Sequence, residues 1–266
     1  MTRIVCVQLA PHVGELDANH RQIVSTIAET TADILVLPEL ATSGYVFESA
    51  AEAAECAIPP DDPKIGEWAA AIDSDSVVVC GYAERGPGGI LYNSAVLLDS
   101  TGVLASYRKT HLWDREKLFF TPGSQPPPVV ATRFGRIAVM VCYDLEFPEY
   151  TRRVALEGAD LIAVPTNWPE VARPEGERPP EVLIAQAAAR VNRVAIACCD
   201  RSGTERGQRW TEGTTIVSDD GWIAATVGPD GSAEWDADLV SARDKNISTR
   251  NHLFGDRRTD LYGLSR

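Results

Sequence analysis

One cysteine in this sequence occupies a position from which a thiol can act as a nucleophile. Cys142 follows the unbroken apolar run of residues 137–141, which predicts a buried strand, and Pro148 then predicts the first position of a helix. A parallel α/β sheet presents reactive groups at such strand-to-helix turns, because ligands bind beyond the carboxyl ends of the strands. An arbitrary cysteine is more often a small buried hydrophobe, so its surroundings must decide between the two interpretations.

Charged residues at two other predicted strand ends favour the chemical interpretation. Glu39 lies in the apolar run of residues 34–40, where a carboxylate is costly unless it has a partner or a task. Lys109 lies near the end of a further predicted strand, and Glu116 follows it in a short helical turn. A thiol is mostly protonated at neutral pH and needs a base or a nearby cation before it attacks. A glutamate and a lysine close to Cys142 would meet both needs.

The apolar periodicity predicts one α/β domain over residues 1–266 that would position these side chains. Two similar halves of mixed strands and helices predict two mixed sheets that face each other, with helices outside. Predicted strands cover residues 3–10, 34–40, 77–82, 91–99, 103–111, 129–132, 137–141, 161–166, 194–199, 214–218, 222–227 and 234–240, and predicted helices include residues 63–72, 148–158 and 181–192. Strands 77–82, 91–99 and 103–111 are close enough in sequence to pair antiparallel.

Composition excludes several classes of partner. The net charge of −13 disfavours nucleic acid and anionic membrane, since both would repel the chain. Residues 1–10 lack the pattern of a secretory signal, and no apolar run approaches the roughly 20 residues of a membrane span, so a cytoplasmic location is expected. The six cysteines show neither CxxC spacing nor disulfide density. Reduced thiols are therefore predicted, with no metal and no cofactor.

The set formed by Glu39, Lys109, Glu116 and Cys142 resembles the signature of the nitrilase superfamily of carbon–nitrogen hydrolases. The resemblance extends over residues 3 to 227 and includes the order and spacing of the strands. It implies a four-layer α-β-β-α sandwich with two mixed sheets. It also implies a cysteine thioester intermediate, with Glu39 as the base, Lys109 and the backbone N–H of Tyr143 as the stabilisers of the oxyanion, and Glu116 as the residue that positions the lysine.

The residues that follow the cysteine bear on the reaction. Nitrilases resemble one another in placing Trp and Glu directly after the cysteine, whereas Tyr143 and Asp144 follow here, which favours an amidase. The expected reaction is hydrolysis of a small aliphatic primary amide to carboxylate and ammonia. The segments around Gly81, Asn93, Lys109 and Cys142 resemble aliphatic amidases of the 5-aminopentanamidase kind, and less closely ω-amidases acting on 2-oxoglutaramate.

Other functions stay open at this point. An N-carbamoyl amidase or a nitrilase of the same superfamily is one alternative, and a non-catalytic interaction protein that has kept the fold is another. A cysteine protease is disfavoured, because none of the four histidines lies in a matching local motif. His111 shares a face with Lys109 by period-two alternation and is interpreted as structural.

Five residues are predicted to bind the substrate, and they lie in loops beyond strand ends. They are Tyr45, Tyr143, Asn167, Trp168 and Arg173. A guanidinium matches a carboxylate bidentately, so Arg173, or Arg178 in the same loop, would receive the carboxylate of an acidic amide; solvated loop arginines are the competing interpretation. The resemblance further implies a homodimer or a higher homo-oligomer, with residues 251–266 as a tail at the dimer interface; a disordered end is the alternative.

Overall fold

The computed structural model describes residues 1–73 and 75–263. Its helices are α1 (Leu16–Glu29), α2 (Ala50–Glu55), α3 (Pro63–Ala71), α4 (Pro148–Leu156) and α5 (Pro180–Asn192). Its strands are β1 (Thr2–Val7), β2 (Ile34–Val36), β3 (Val77–Arg85), β4 (Leu91–Asp99), β5 (Gly102–Arg108), β6 (Val129–Thr132), β7 (Gly135–Val139), β8 (Leu161–Pro165), β9 (Ala195–Cys199), β10 (Thr204–Glu205), β11 (Gln208–Arg209), β12 (Thr215–Val217), β13 (Ile223–Thr226), β14 (Ser232–Ala237), β15 (Asn246–Ser248) and β16 (Asn251–His252).

Two six-stranded mixed sheets form the centre of the fold. The first has the order β14-β1-β2-β3-β4-β5 and the second has the order β13-β12-β9-β8-β7-β6. The middle strands β1, β2 and β3 are parallel, as are β7, β8 and β9, and the outer strands of both sheets pair antiparallel. The predicted mixed sheets and the similarity of the two halves are confirmed.

Alternation along the strands of the first sheet separates two apolar layers. Ile34 and Val36 of β2 belong to the core that lies between the two sheets, whereas Leu35 packs into the core beneath α1 and α3. The same division holds for Val79 and Val78 of β3. The second sheet is covered in turn by α4 and α5, so the layers are helix, sheet, sheet and helix, as predicted.

Local sequence explains where the helices begin. The side chain of Asp62 accepts a hydrogen bond from the backbone N–H of Lys64 (3.0 Å) and so caps α3, which has Pro63 in its first turn. Pro148 opens α4 in the same way, as the sequence predicts. α2 was not predicted, because its Ala-Ala-Glu-Ala-Ala-Glu sequence has no apolar periodicity beyond alanine; Ser49 caps it.

Two predicted strands are shorter than expected. The strand predicted to carry Glu39 ends at Val36, because Pro38 has no N–H with which to continue the ladder. The strand before Cys142 ends at Val139, and a 3-10 turn begins at the cysteine itself. Glu39 and Cys142 therefore lie in short buried segments just beyond the strands.

The C-terminal segment forms a small hairpin of β15 and β16 and then a series of turns. The ring of Phe254 lies beneath the cations of Arg152 and Lys245, which joins this segment to the second sheet's helices. The predicted tail reaches residue 266, and its residues 264–266 lie outside the described part of the chain. Across residues 1–73 and 75–263, no helix has the length and apolar character needed to cross a bilayer.

Candidate active site

The four residues with predicted chemistry converge at one edge of the two sheets. Glu39 follows β2, Cys142 follows β7 and Lys109 directly follows β5. Strand β4 pairs antiparallel with both β3 and β5, so β5 runs in the same direction as β3. These strand ends therefore lie on the same side, where α/β sheets bind ligands. Glu39, Lys109 and Glu116 are all buried, and Cys142 is 7 % exposed.

Lys109 bridges the two carboxylates. Its Nζ donates to Oε1 of Glu39 and to Oε1 of Glu116, each at 2.7 Å. Burial by itself disfavours the ammonium charge, but the carboxylates of Glu116 and Glu39 outweigh burial and raise the pKa of Lys109 well above its ordinary value. The lysine therefore stays a cation in a site where a cation can stabilise a developing negative charge.

Glu39 has one occupied and one free carboxylate oxygen. Oε1 accepts from Lys109 Nζ and also from Nδ2 of Asn93 (2.7 Å), whereas Oε2 is buried and has no hydrogen-bond partner among the described residues. Burial raises the pKa of Glu39 to about 7, against the opposing effect of Lys109. A carboxyl group with a pKa near neutrality can both take up and return a proton.

The backbone brings Glu39 very close to β3. A Cβ atom on Gly81 would stand 2.6 Å from the Cα of Glu39 and 2.7 Å from the carbonyl oxygen of Pro38. Only glycine fits at this position without displacing the backbone that carries the carboxylate. Leu40, the next residue, has a φ of +49°, so the chain turns sharply just after Glu39.

Cys142 sits at a strained turn. Its φ of +46° lies in the left-handed region that non-glycine residues rarely adopt, and such strain is characteristic of functional turns. Its Sγ lies 4.0 Å from the carbonyl oxygen of Asn167. Burial, followed by the carboxylate of Glu39, raises the pKa of the thiol well above its ordinary value, with Lys109 opposing. The thiol is therefore protonated at neutral pH and needs a base in order to attack.

Asn167 links the two halves of the site. Its Nδ2 donates to the backbone carbonyl of Glu39 (3.0 Å) while its own carbonyl faces the thiol of Cys142. The residue is buried, and its Oδ1 has no partner in the part of the chain that the structure describes. This predicted substrate-binding residue thus contacts the main chain of the predicted base and the thiol of the predicted nucleophile.

Tyr45 reaches the same group of residues from the loop after Glu39. Its hydroxyl donates to Oε1 of Glu116 at 2.5 Å, and burial followed by that carboxylate raises its pKa well above the ordinary value, so it remains a donor. The loop is held by Glu205, whose Oε2 accepts from the backbone N–H groups of Tyr45 (2.9 Å) and Val46 (2.6 Å). Arg201 pairs with the other oxygen of Glu205 at 3.1 Å.

A cavity of about 110 Å³ opens beside Glu116 and Tyr45. Aromatic side chains make up half of its wall, which is formed by Tyr45, Val46, Phe47, Trp113, Asp114, Arg115, Glu116, Phe119, Phe120, Pro169, Gln208 and Trp210. The edge of Trp210 meets the ring of Tyr45 with centroids 5.4 Å apart, and the guanidinium of Arg201 lies over Trp210 at 4.8 Å. Sequence reasoning did not identify Trp210, because it lies in an irregular segment after β11.

The remaining predicted substrate-binding residues lie at different distances from this cavity. Trp168 is buried and packs beneath Gly213, and its backbone N–H donates to Asp200 Oδ1 (2.9 Å). Tyr143 directly follows Cys142, and its ring contacts Trp113 edge-on with centroids 4.9 Å apart. Arg173 is exposed and borders a separate depression formed by residues 170–177, so the structure does not bring it into the cavity.

Comparison with known proteins identifies the family. The carbon-nitrogen hydrolase family profile matches residues 3–243. The chain belongs to the carbon-nitrogen hydrolase family. It is accordingly a carbon–nitrogen hydrolase, and the superfamily resemblance found in the sequence is confirmed.

Relatives of this hydrolase include nitrilases and amidases. A nitrilase from Pyrococcus abyssi is 36 % identical over 271 residues, covering 98 % of this chain and 99 % of that protein. The deaminated glutathione amidase of Mus musculus is 31 % identical over 276 residues, covering 97 % and 77 %. A variant of the amidase from Nesterenkonia sp. AN1 is 28 % identical and superposes with a TM-score of 0.78 over 98 % of both chains. In that structure acrylamide has added to the active-site cysteine.

Proposed function

We propose that this hydrolase is an amidase that converts a small aliphatic primary amide into its carboxylate and ammonia through a thioester on Cys142. The observation that carries the proposal is the convergence of one thiol, two carboxylates and one ammonium group in a buried site, with Lys109 Nζ 2.7 Å from both acids. An amide is a poor electrophile and ammonia a poor leaving group. A covalent intermediate divides this barrier into two smaller ones.

In the first half of the reaction Glu39 acts as the base. Its free Oε2 takes the thiol proton of Cys142 while Sγ attacks the amide carbon. The oxyanion that forms is stabilised by Nζ of Lys109 and by the backbone N–H of Tyr143, one of the first N–H groups of the 3-10 turn, which have no acceptor within that turn. Glu39 then passes its proton to the departing nitrogen, the C–N bond breaks, and ammonia leaves.

In the second half Glu39 activates water. The ionised carboxylate takes a proton from a water molecule as its oxygen attacks the thioester carbon, and Lys109 again stabilises the oxyanion. Collapse of this intermediate breaks the C–S bond and returns the proton to sulfur, so the free acid and the Cys142 thiol are regenerated. Throughout the cycle Glu116 holds Lys109 in place, and Tyr45 holds Glu116.

We further propose that the acyl chain of the substrate occupies the aromatic cavity beside Glu116. A volume of about 110 Å³ supports a short chain rather than a peptide or a bulky ring system. The aromatic side chains of the wall favour burial of methylene groups. Within the described residues, Arg115 is the only positively charged side chain in this wall.

Ammonia release from a panel of primary amides of two to six carbon atoms tests this proposal. Turnover by the natural sequence and its loss in Cys142→Ala are the expected results. Cys80→Ala removes another buried thiol, from the core beneath α1 and α3, and serves as the matched control. Ammonia release by Cys142→Ala at the rate of the natural sequence would refute the mechanism.

A nitrilase is the second candidate, because the Pyrococcus abyssi relative is described as one. The same cysteine would attack a nitrile carbon, and ammonia would again be produced. Parallel assays of each amide and the corresponding nitrile separate the two functions. Ureido acids, which would release carbon dioxide together with ammonia, test the N-carbamoyl amidase alternative, and 2-oxoglutaramate tests the ω-amidase alternative.

A further inference from the structure

Asn93 is a buried polar residue in the middle of β4 that touches both Glu39 and Lys109. Its side-chain Nδ2 donates to Oε1 of Glu39 at 2.7 Å, and its backbone carbonyl accepts from the backbone N–H of Lys109 at 2.8 Å. The side chain is fully buried. One residue thus contacts the proposed base through its side chain and the proposed cation through its main chain.

We infer that Asn93 is a positioning residue that orients the Glu39 carboxylate so that Oε2 is the oxygen that exchanges protons with Cys142 and the substrate. This inference rests on the proposed amidase function. In this role Asn93 does not contact the substrate. Its role is to determine which of two chemically equivalent oxygens performs the chemistry.

The hydrogen bonds of the carboxylate support this assignment. Oε1 of Glu39 accepts two short bonds, one from the ammonium of Lys109 and one from the amide of Asn93. An oxygen that already accepts two donors, one of them charged, is a poor place for a proton. Oε2 is buried and has no hydrogen-bond partner among residues 1–73 and 75–263. The thiol proton therefore goes to Oε2.

The amide is well matched to this task. A carboxylate only accepts hydrogen bonds, so Asn93 must present its NH₂ group to Glu39. The charged and titratable groups that face Glu39 are Lys109, Glu116, Cys142 and Tyr45, and they already include one cation and a second carboxylate. A neutral donor holds the carboxylate without adding another charge. Because that bond favours the ionised form, its removal should raise the pKa of Glu39 further.

The test is the pH dependence of kcat/KM and of kcat in Asn93→Leu, a change that removes the donor and keeps a similar size. We expect kcat to fall about a hundredfold, as displaced catalytic groups typically cause, with a much smaller change in KM. We also expect the acid limb of the kcat/KM profile to move to higher pH. Asn93→Asp, which places a third carboxylate beside Glu39, should move the limb in the same direction.

Ser94→Ala is the matched control, since the neighbouring Ser94 is equally buried on β4 but donates to Glu84 (2.6 Å). It should leave the acid limb where it is.

The rate of Cys142 alkylation by iodoacetamide as a function of pH gives the same comparison without turnover. Asn93→Ser replaces the leucine variant if the latter does not fold. If the natural enzyme is active and the folded Asn93 variants keep its kcat and the position of its acid limb, the role of Asn93 is refuted and the proposed function is not affected. A natural enzyme that releases no ammonia from any amide would instead refute the proposed function.

Discussion

Oδ1 of Asp144 lies 2.7 Å from Nδ1 of His111, and this contact joins the turn of Cys142 to the segment that follows Lys109. The same carboxylate accepts from the hydroxyl of Tyr107 at 2.9 Å and from the backbone N–H of Val141 at 3.2 Å. The imidazole of His111 also stacks on Phe147, with ring centroids 3.6 Å apart. Asp144 is fully buried, and its hydrogen bonds fix the turn of Cys142 relative to the segment that follows Lys109.

Replacement of Asp144 by alanine should therefore destabilise the protein and lower its activity together. The change leaves several buried donors without an acceptor, and each costs about 1–3 kcal/mol, so we expect a loss of about 3 kcal/mol or more in the free energy of unfolding. Denaturant titration measures it. Asp236→Ala removes an exposed carboxylate from β14 and should change that free energy by no more than about 0.5 kcal/mol. Equal effects of the two substitutions would contradict this reading of the network.

Glu39→Gln should abolish most of the turnover without unfolding the chain. Glutamine keeps the shape of the side chain and an acceptor for Lys109, but it cannot take up the thiol proton. General-base catalysis typically contributes a factor of about 10² to 10⁴, and we expect a loss in kcat of that size. Steady-state ammonia release measures the loss. A variant with normal thermal unfolding and undiminished kcat would show that another group deprotonates Cys142.

The pH profile should have one acid limb near neutrality. Burial raises the pKa of Glu39 to about 7, and the base must be ionised in order to act, so kcat/KM should rise as the pH increases through about 7 and fall below it. The pKa values of Cys142 and Lys109 lie well above their ordinary values, so no second limb is expected just above neutrality. Measurement of kcat/KM from pH 5 to 9 in buffers of constant ionic strength checks both statements. An acid limb near the ordinary pKa of a glutamate would mean that burial does not control this carboxylate.

Tyr45→Phe isolates the contribution of one hydrogen bond. The change removes the donor to Glu116 but keeps the ring that meets Trp210. Glu116 accepts a hydrogen bond from Lys109, the proposed oxyanion stabiliser, so the loss of the Tyr45 donor should also affect the position of that lysine. We expect kcat to fall by about tenfold, which corresponds to about 1.4 kcal/mol. Tyr262→Phe, at an exposed position of the C-terminal segment, is the control and should be silent.

Much of this site was predictable because its residues stand at strand ends. Glu39 and Cys142 each follow an apolar run, and Lys109 directly follows β5. A carboxylate at such a point is costly without a partner or a task. Asn93 also left a signal, since it is a polar residue inside the largely apolar strand Leu91–Asp99, where a buried amide needs a partner. Its partner was not predictable, because Glu39 lies 54 residues away and the contact depends on the pairing of β3 with β4.

The proposed substrate cavity was less predictable than the proposed catalytic residues. Trp210 follows a two-residue strand in a segment without apolar periodicity, and its contact with Tyr45 depends on how two loops meet. The position of Arg173 was likewise not predictable from the sequence. It was predicted to meet a substrate carboxylate because its loop follows a strand end, but the path of residues 170–177 carries it to the exposed surface. Periodicity encodes strands and helices, and it does not encode the path of a long irregular loop.

Trp210 should control the length of the substrate. Its indole forms part of the cavity wall and contacts both the ring of Tyr45 and the guanidinium of Arg201. Trp210→Ala should therefore enlarge the cavity that is proposed to receive the acyl chain. Burial of one methylene group is worth about 0.8 kcal/mol. In the enlarged cavity a two- or three-carbon amide would lose part of its contact with the wall, so its kcat/KM should fall, whereas a longer amide would bury additional methylene groups, so its kcat/KM should rise. A series of unbranched amides measures the shift in preference. Trp210→Phe keeps an aromatic wall and should shift it less, whereas Trp222→Ala, which removes an exposed indole, should not shift it at all. An unchanged preference in Trp210→Ala would place the acyl chain elsewhere and leave the catalytic assignment intact.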